Sequence, residues 1–335
     1  MIIFFLYIIV IITLKIVLKN SNKGKKPIKN QNIFKIPSST IKHTENYFIN
    51  DRNMKLYYQI YQPITIINKK ENIPVILMIH GYADSSHCFQ RYTAIRLAKY
   101  GFIMIGIDLE GHGKSDGLHL YIQDFNKIVL DVLQFIKYIQ SNLFPNNPLF
   151  LLGESMGGAI CCSLCFIAEE YNVKIDGCIL QAPMCKISEN IKPTKIQICI
   201  LKLLKYIAPT LQIVPLPSLS NKSTKLHSVR EIYKKCPYLF KGKPRVSTAV
   251  ELLKITIKID TNAKYFKHPV FILHGTKDTI TDYEYSKEFY EKISSKDKKI
   301  KLYEGMWHCL TLEPEKNRNI IFNDIQKWIY NRSPL

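Results

Sequence analysis

The chain lacks a second long apolar run. Only residues 1–18 of its 335 form one, so a multi-span membrane protein is excluded. It lacks helix-turn-helix spacing, zinc-ligand spacing and any aromatic RNA-binding signature, so its basic excess matches no nucleic-acid module and no nucleic-acid partner is expected. It lacks paired CxxC motifs, and its nine cysteines are an odd number. Most sit in apolar stretches such as Ile160-Cys161-Cys162-Ser163-Leu164-Cys165 and read as buried free thiols in a reducing compartment. No internal repeat is evident, and residues 1–44 contain no acid at all. What is present is globular. Hydrophobic residues make up 47% and charged residues 22%, in a length that allows one large domain or two ordinary ones.

The net charge of +20 is unevenly placed. Residues 1–44 hold eight lysines, and residues 186–256 hold fourteen basic and three acidic residues, which leaves +1 for the remainder. That split fits an anionic membrane surface, although a Lys- and Asn-rich composition would also produce it. As a helix, residues 1–18 would span about 27 Å, barely a bilayer core. No basic segment precedes the run and no small-x-small cleavage site follows it, which argues against a cleaved signal. Lys15, Lys19, Lys23, Lys25, Lys26 and Lys29 lie at its end or after it. They predict a single anchor over residues 1–20 with the rest of the chain on the cytosolic side. Residues 21–44 read as a basic tether.

From residue 45 strand and helix patterns alternate. Strands are predicted at Tyr47–Asn50, Leu56–Tyr61, Val75–His80, Ile103–Asp108, Leu149–Gly153, Gly177–Gln181, Val270–His274 and Lys301–Tyr303. Amphipathic helices are predicted near 89–100, 124–142, 156–170, 283–293 and 317–331. All-apolar runs such as Val75-Ile76-Leu77-Met78-Ile79 suit strands buried on both faces of a parallel sheet, and the alternation implies a doubly wound α/β domain. The rhythm breaks at about residues 187–258, where helical stretches at Ile196–Ile207 and Ser247–Ile257 suggest an inserted cap.

The chemistry is carried by Gly153-Glu154-Ser155-Met156-Gly157, a G-x-S-x-G sequence after a buried strand and before a helix. A nucleophile at such a sharp turn stands clear of the sheet, and glycines let neighbouring backbone pass close to it. A serine hydroxyl needs a base, and the order expected is Ser, Asp, His. Asp278 and His308 follow the last two predicted strands, at the carboxyl ends where open α/β sheets place their sites. Asp282 is a competing acid four residues on, farther from its strand. His274, at a strand end, reads as structural. For the oxyanion, the expected donors are the backbone N–H of Met156 and that of Tyr82 in the His80-Gly81-Tyr82 loop. Neither a metal nor an organic cofactor is called for. His119 and Asp124 form an H-x₄-D pair, a pattern associated with acyl transfer, but two residues at that spacing arise readily and the pair reads rather as a loop histidine and a helix-start aspartate. Lys243 and Arg245 either hold an anionic headgroup or are solvated loop charges.

Several stretches go further: His80-Gly81-Tyr82, Gly106 to Gly117, Leu151 to Ala159, Ala182 to Ser188, Gly242-Lys243-Pro244-Arg245, and the segments around Asp278 and His308. Through them, roughly residues 45–330 resemble the monoacylglycerol lipase family of α/β-hydrolases, close to its plant-type members. The resemblance implies a mostly parallel eight-stranded sheet with helices on both faces and a cap over the site. It implies a triad of Ser155, Asp278 and His308, with an oxyanion hole from backbone at Tyr82 and Met156. It implies a lipid ester substrate, a monoacylglycerol or lysophospholipid, while some plant relatives take caffeoyl shikimate. Acyl transfer on the same triad, and a hydrolase fold used only for binding, are the competing readings. An N-terminal anchor departs from most of the family.

Overall fold

Five short apolar runs form the middle of one sheet in the computed structural model, which describes residues 39–66, 72–187, 192–214, 219–239 and 242–333. They are β3 (Val75–Ile79), β4 (Ile103–Ile107), β5 (Leu149–Glu154), β6 (Gly177–Gln181) and β7 (Val270–Gly275). Apart from Glu154, every residue in them is buried, as strands covered on both faces require. β8 (Lys298–Tyr303) closes one edge, and β1 (Ile41–Ile49) with β2 (Lys55–Pro63) the other. The order is β1-β2-β4-β3-β5-β6-β7-β8, parallel from β4 to β8 and antiparallel at β1·β2 and β2·β4. This is the eight-stranded, mostly parallel sheet expected.

Helices cover both faces because strand side chains alternate. Val75, Leu77 and Ile79 join one core with α2 (Phe125–Tyr138), α3 (Met156–Ile167), α7 (Val246–Asn262) and α8 (Tyr283–Lys292). Ile76 and Met78 join the other with α1 (Phe89–Ala98) and α9 (Glu315–Tyr330). Between β6 and β7 the chain runs through α4 (Lys195–Ile207), α5 (Leu219–Ser223), α6 (His227–Lys235) and α7. The last continues past the boundary expected at 258 and puts Ile259 into the main core.

The anchor expected at residues 1–20 lies outside the described residues, as does the tether up to residue 38. Ile41 to Thr44 already belong to β1. Among the described residues no helix is long and apolar enough to cross a membrane. The reading of nine buried free thiols needs correction. Cys88, just before α1, and Cys236, just after α6, are joined as a disulfide, and Cys199 is exposed. The pairing spans 148 residues and depends on α6 folding back over α1. Cys161, Cys162, Cys165, Cys178, Cys185 and Cys309 are free and buried.

Candidate active site

Ser155 stands alone between β5 and α3, with φ 56° and ψ −117°. A non-glycine residue held there costs about 1–3 kcal/mol and persists only where packing dictates it. Its neighbours supply that packing. Ser155 N–H donates to Gln181 O on β6 at 3.0 Å, and Ser155 O accepts from Gly158 and Met184 N–H, each at 3.0 Å. Gly157 makes the turn sterically possible, since a Cβ there would lie 2.0 Å from Ile79 O. The Gly81 backbone passes so near that a Cβ on it would stand 3.2 Å from Ser155 Cβ and 3.8 Å from Oγ. Tyr82 therefore follows directly on a residue in contact with the serine. Met156 opens α3, where the first N–H groups of a helix have no intrahelical acceptor. His80 fixes the approach of this loop. Its Nδ1–H donates to Gly81 O at 2.8 Å and its Nε2 accepts from Leu109 N–H at 3.0 Å.

Asp278 lies beyond the end of β7 with its side chain fully buried. One oxygen, Oδ1, accepts from the backbone N–H groups of Ile280 and Thr281 at 2.7 and 3.2 Å. The other, Oδ2, takes His308 Nδ1–H at 2.6 Å, the Thr281 hydroxyl at 2.8 Å and His274 Nε2–H at 3.0 Å. Burial alone would raise this carboxyl. His308 and His274 outweigh it and hold it well below the usual carboxylate range. His308 feels the mirror image. Burial disfavours its charged form, but the charge and hydrogen bond of Asp278, with Glu154 behind, hold it above its ordinary value. The His308 loop is itself fixed: Trp307 N–H donates to Glu313 Oε1 at 2.7 Å, and Cys309 N–H to Ser223 O at 2.9 Å.

Asp282 is elsewhere. It caps α8 and accepts from Glu284 N–H at 3.0 Å. Asp124 likewise caps α2, accepting from Asn126 N–H at 2.9 Å, which accounts for half of the H-x₄-D pair. Arg245 spends donors on backbone, with Nε on His119 O at 2.9 Å and Nη1 on Thr210 O at 2.6 Å. It ties the segment between β6 and β7 to the body of the domain.

Two carboxyls escaped the sequence reading. Glu154, inside the serine motif, bonds Gln181 Nε2 at 2.7 Å and Cys309 Sγ at 3.1 Å. Asp84, two residues past Tyr82, is close enough to Glu154 for the charges to oppose each other. Burial, reinforced by that repulsion at Asp84, raises both. The signal for Glu154 was its place beside the serine. His274, correctly placed at a strand end, touches Asp278, which no sequence spacing announced.

This sheet, with a strained serine at a strand-to-helix turn and an Asp–His pair at later strand ends, defines an α/β-hydrolase. The chain belongs to the family described as serine aminopeptidase, S33, whose model matches residues 70–315. Among its relatives, caffeoylshikimate esterase of Arabidopsis thaliana is 35% identical, over 87% of this chain and 86% of that one. Human monoglyceride lipase is 28% identical, over 77% of this chain and 83% of its own. A solved soluble variant of monoglyceride lipase from Saccharomyces cerevisiae, in complex with a substrate analog, has a TM-score of 0.75 and covers 92% of this chain and 100% of that one. At 24% identity that likeness speaks to the fold. The family read from the motifs holds, and the chain is a carboxylic ester hydrolase.

Proposed function

We propose that Ser155, His308 and Asp278 hydrolyse an ester of a single-chain lipid, a monoacylglycerol above all. The observation that carries this is the strained Ser155 at its turn, on the sheet whose later strand ends hold the bonded Asp278–His308 pair. Ser155 Oγ attacks the ester carbonyl while His308 Nε2 takes its proton, and Asp278 stabilises the imidazolium. The N–H groups of Tyr82 and Met156 take the oxyanion. His308 returns the proton to the leaving alcohol, and water then attacks the acyl-serine by the same steps reversed. Residues 187–245 act as the cap, while α7 packs on the sheet through Ile255 and Ile259. In support, Val229, Cys236 and Leu239 pack on Cys88, Cys309 and Leu312, beside both loops that carry the site.

Glu154, bonded to Cys309 beside His308, and Asp84 are carboxyls whose charged form burial disfavours, which supports an uncharged headgroup over a phosphate. The names of the human and yeast relatives agree with a monoacylglycerol. A phenolic ester is the second reading, supported by the Arabidopsis relative. The test is hydrolysis of 1-oleoylglycerol, oleoyl lysophosphatidate, caffeoyl shikimate and an aminoacyl anilide by the full chain. The highest kcat/KM is expected for 1-oleoylglycerol. A preference for caffeoyl shikimate would move the assignment to phenolic esters, and no turnover together with no fluorophosphonate labelling would make this a binding protein.

Residues 1–20 are assigned as a membrane anchor and residues 21–40, up to the start of β1, as its tether. The lysines after the apolar run favour the cytosolic side for the catalytic domain, whereas the Cys88–Cys236 disulfide points to the opposite one. The outer face of α4 is a membrane-facing surface of the domain itself. Ile196, Ile200, Leu203, Tyr206 and Ile207 recur at helical spacing yet are exposed, Ile196 by 74% and Tyr206 by 88%. Lys195 and Lys202 flank them. An apolar stripe with lysines beside it suits the interface of an anionic bilayer, where each lysine contributes about 1 kcal/mol. A chain lacking residues 1–20 is therefore expected to bind anionic vesicles more than neutral ones at low salt. Leu203→Glu in that form should lower vesicle binding several-fold without changing hydrolysis of a water-soluble ester. Equal binding to both vesicle types, measured by flotation, would remove this surface.

A further inference from the structure

We propose that His274 is a positioning residue of the reaction, a second imidazole that holds Asp278 in place for His308. The inference rests on the assignment of Ser155, Asp278 and His308 as the triad.

His274 is the fifth residue of β7 and is completely buried. Its Nε2 lies 3.0 Å from Asp278 Oδ2 and 3.2 Å from Thr281 O. A carboxylate and a carbonyl oxygen only accept, so Nε2 must carry the proton. Its Nδ1 lies 2.7 Å from Ser286 Oγ on α8. In the neutral ring that nitrogen accepts, and the Ser286 hydroxyl donates. Tautomer and ring plane are thus set from both sides. The result is a chain of donors: Ser286 to His274, His274 to Asp278, with His308 on the same oxygen, Oδ2, at 2.6 Å.

Sharing one oxygen has a chemical consequence. Each neutral donor on Oδ2 draws off part of the charge that would otherwise stabilise the His308 imidazolium. His274 thereby limits how basic His308 becomes, and together with the Thr281 hydroxyl on Oδ2 and the backbone N–H groups on Oδ1 it keeps the carboxylate from rotating away from Nδ1. The titratable groups facing this pair are Glu154 at the end of β5, Cys309 beside His308, and Asp84 across from Glu154. None of them bonds Asp278. Among the described residues, His274 is the titratable side chain besides His308 that does.

The experiment is the pH profile of kcat/KM for the full chain, for His274→Leu and for His274→Gln, each checked by thermal melting. In His274→Leu, kcat is expected to fall about tenfold at little change in KM, and the acid limb should move to higher pH. The direction follows because a carboxylate with one donor fewer stabilises the imidazolium more. His274→Gln keeps an N–H near the position of Nε2 and should restore the limb. Ser286→Ala should move it the same way by less, and it supplies the test if His274→Leu does not fold. A folded His274→Leu, or failing that Ser286→Ala, with an unmoved limb overturns the proposal. So does a glutamine variant shifted as far as the leucine variant, because the restored N–H donor would then not be what sets the limb; a purely structural histidine would instead cost melting temperature and leave the limb in place. Ser155→Ala run alongside separates the two questions. If it remains active, the triad assignment itself has failed. If it is dead while the limb is unmoved, only the role of His274 has.

Discussion

Ser155→Ala should fold as the parent does and lose on the order of 10⁴- to 10⁶-fold in kcat for ester hydrolysis. The loss is large because nothing else can form the acyl-enzyme, and the remaining groups then only hold the ester and polarise its carbonyl. Folding should survive because the serine hydroxyl makes no helix-capping bond at the start of α3. The backbone contacts that hold the turn, to Gln181, Gly158 and Met184, all remain. Alanine also inherits the same demand at φ 56°, so its melting temperature should match the parent's. Ser155→Gly supplies the complementary measurement. It is equally inactive, yet glycine accepts positive φ freely, so part of the 1–3 kcal/mol or so of local strain is relieved. A melting temperature at or above the parent's would show a residue kept in a strained conformation for its chemistry. More than trace activity in purified, folded Ser155→Ala would place the nucleophile elsewhere.

Which parts of this molecule were legible in advance follows from the range of the interaction that fixes each. The buried strands were readable because continuous apolar runs such as Val75–Ile79 and Ile103–Ile107 carry their burial locally. β1 was read short. Its outer part, with His43, Thr44, Glu45 and Asn46, is a polar edge whose pairing comes from β2 and not from its own pattern. α5 reads Leu-Ser-Asn-Lys-Ser and has no periodicity to find. The candidate triad was legible because each member follows a strand end, and topology does the rest. The ties between loops were not: Cys88 with Cys236, Cys309 with Glu154, His274 with Asp278. Each joins groups brought together only when the sheet is assembled or a loop folds back, and no spacing encodes that.

Asp278→Asn should cost about 10⁴-fold in kcat/KM, while Asp282→Asn should leave the rate within a factor of a few. The two acids are four residues apart and do different physical work. Asp282 accepts one backbone N–H at the start of α8, so its loss is a stability effect of about 1 kcal/mol at most, read in melting temperature. Asp278 accepts from His308 Nδ1–H and so leaves Nε2 free of a proton to receive that of the serine. An asparagine that turns its NH₂ towards His308 would force the opposite tautomer, with the proton on Nε2 where the base should be. The pH profile adds a signed check. Asp278 holds His308 above its ordinary value against the opposing effect of burial, so the parent's activity should rise along an acid limb above pH 6.5. Removing the negative charge leaves burial unopposed except by Glu154. The limb of the residual activity in Asp278→Asn should then move to lower pH, opposite to the shift expected for His274→Leu. Equal losses from the two aspartate variants, or an acid limb that stays put in Asp278→Asn, would assign the orienting acid to a different residue.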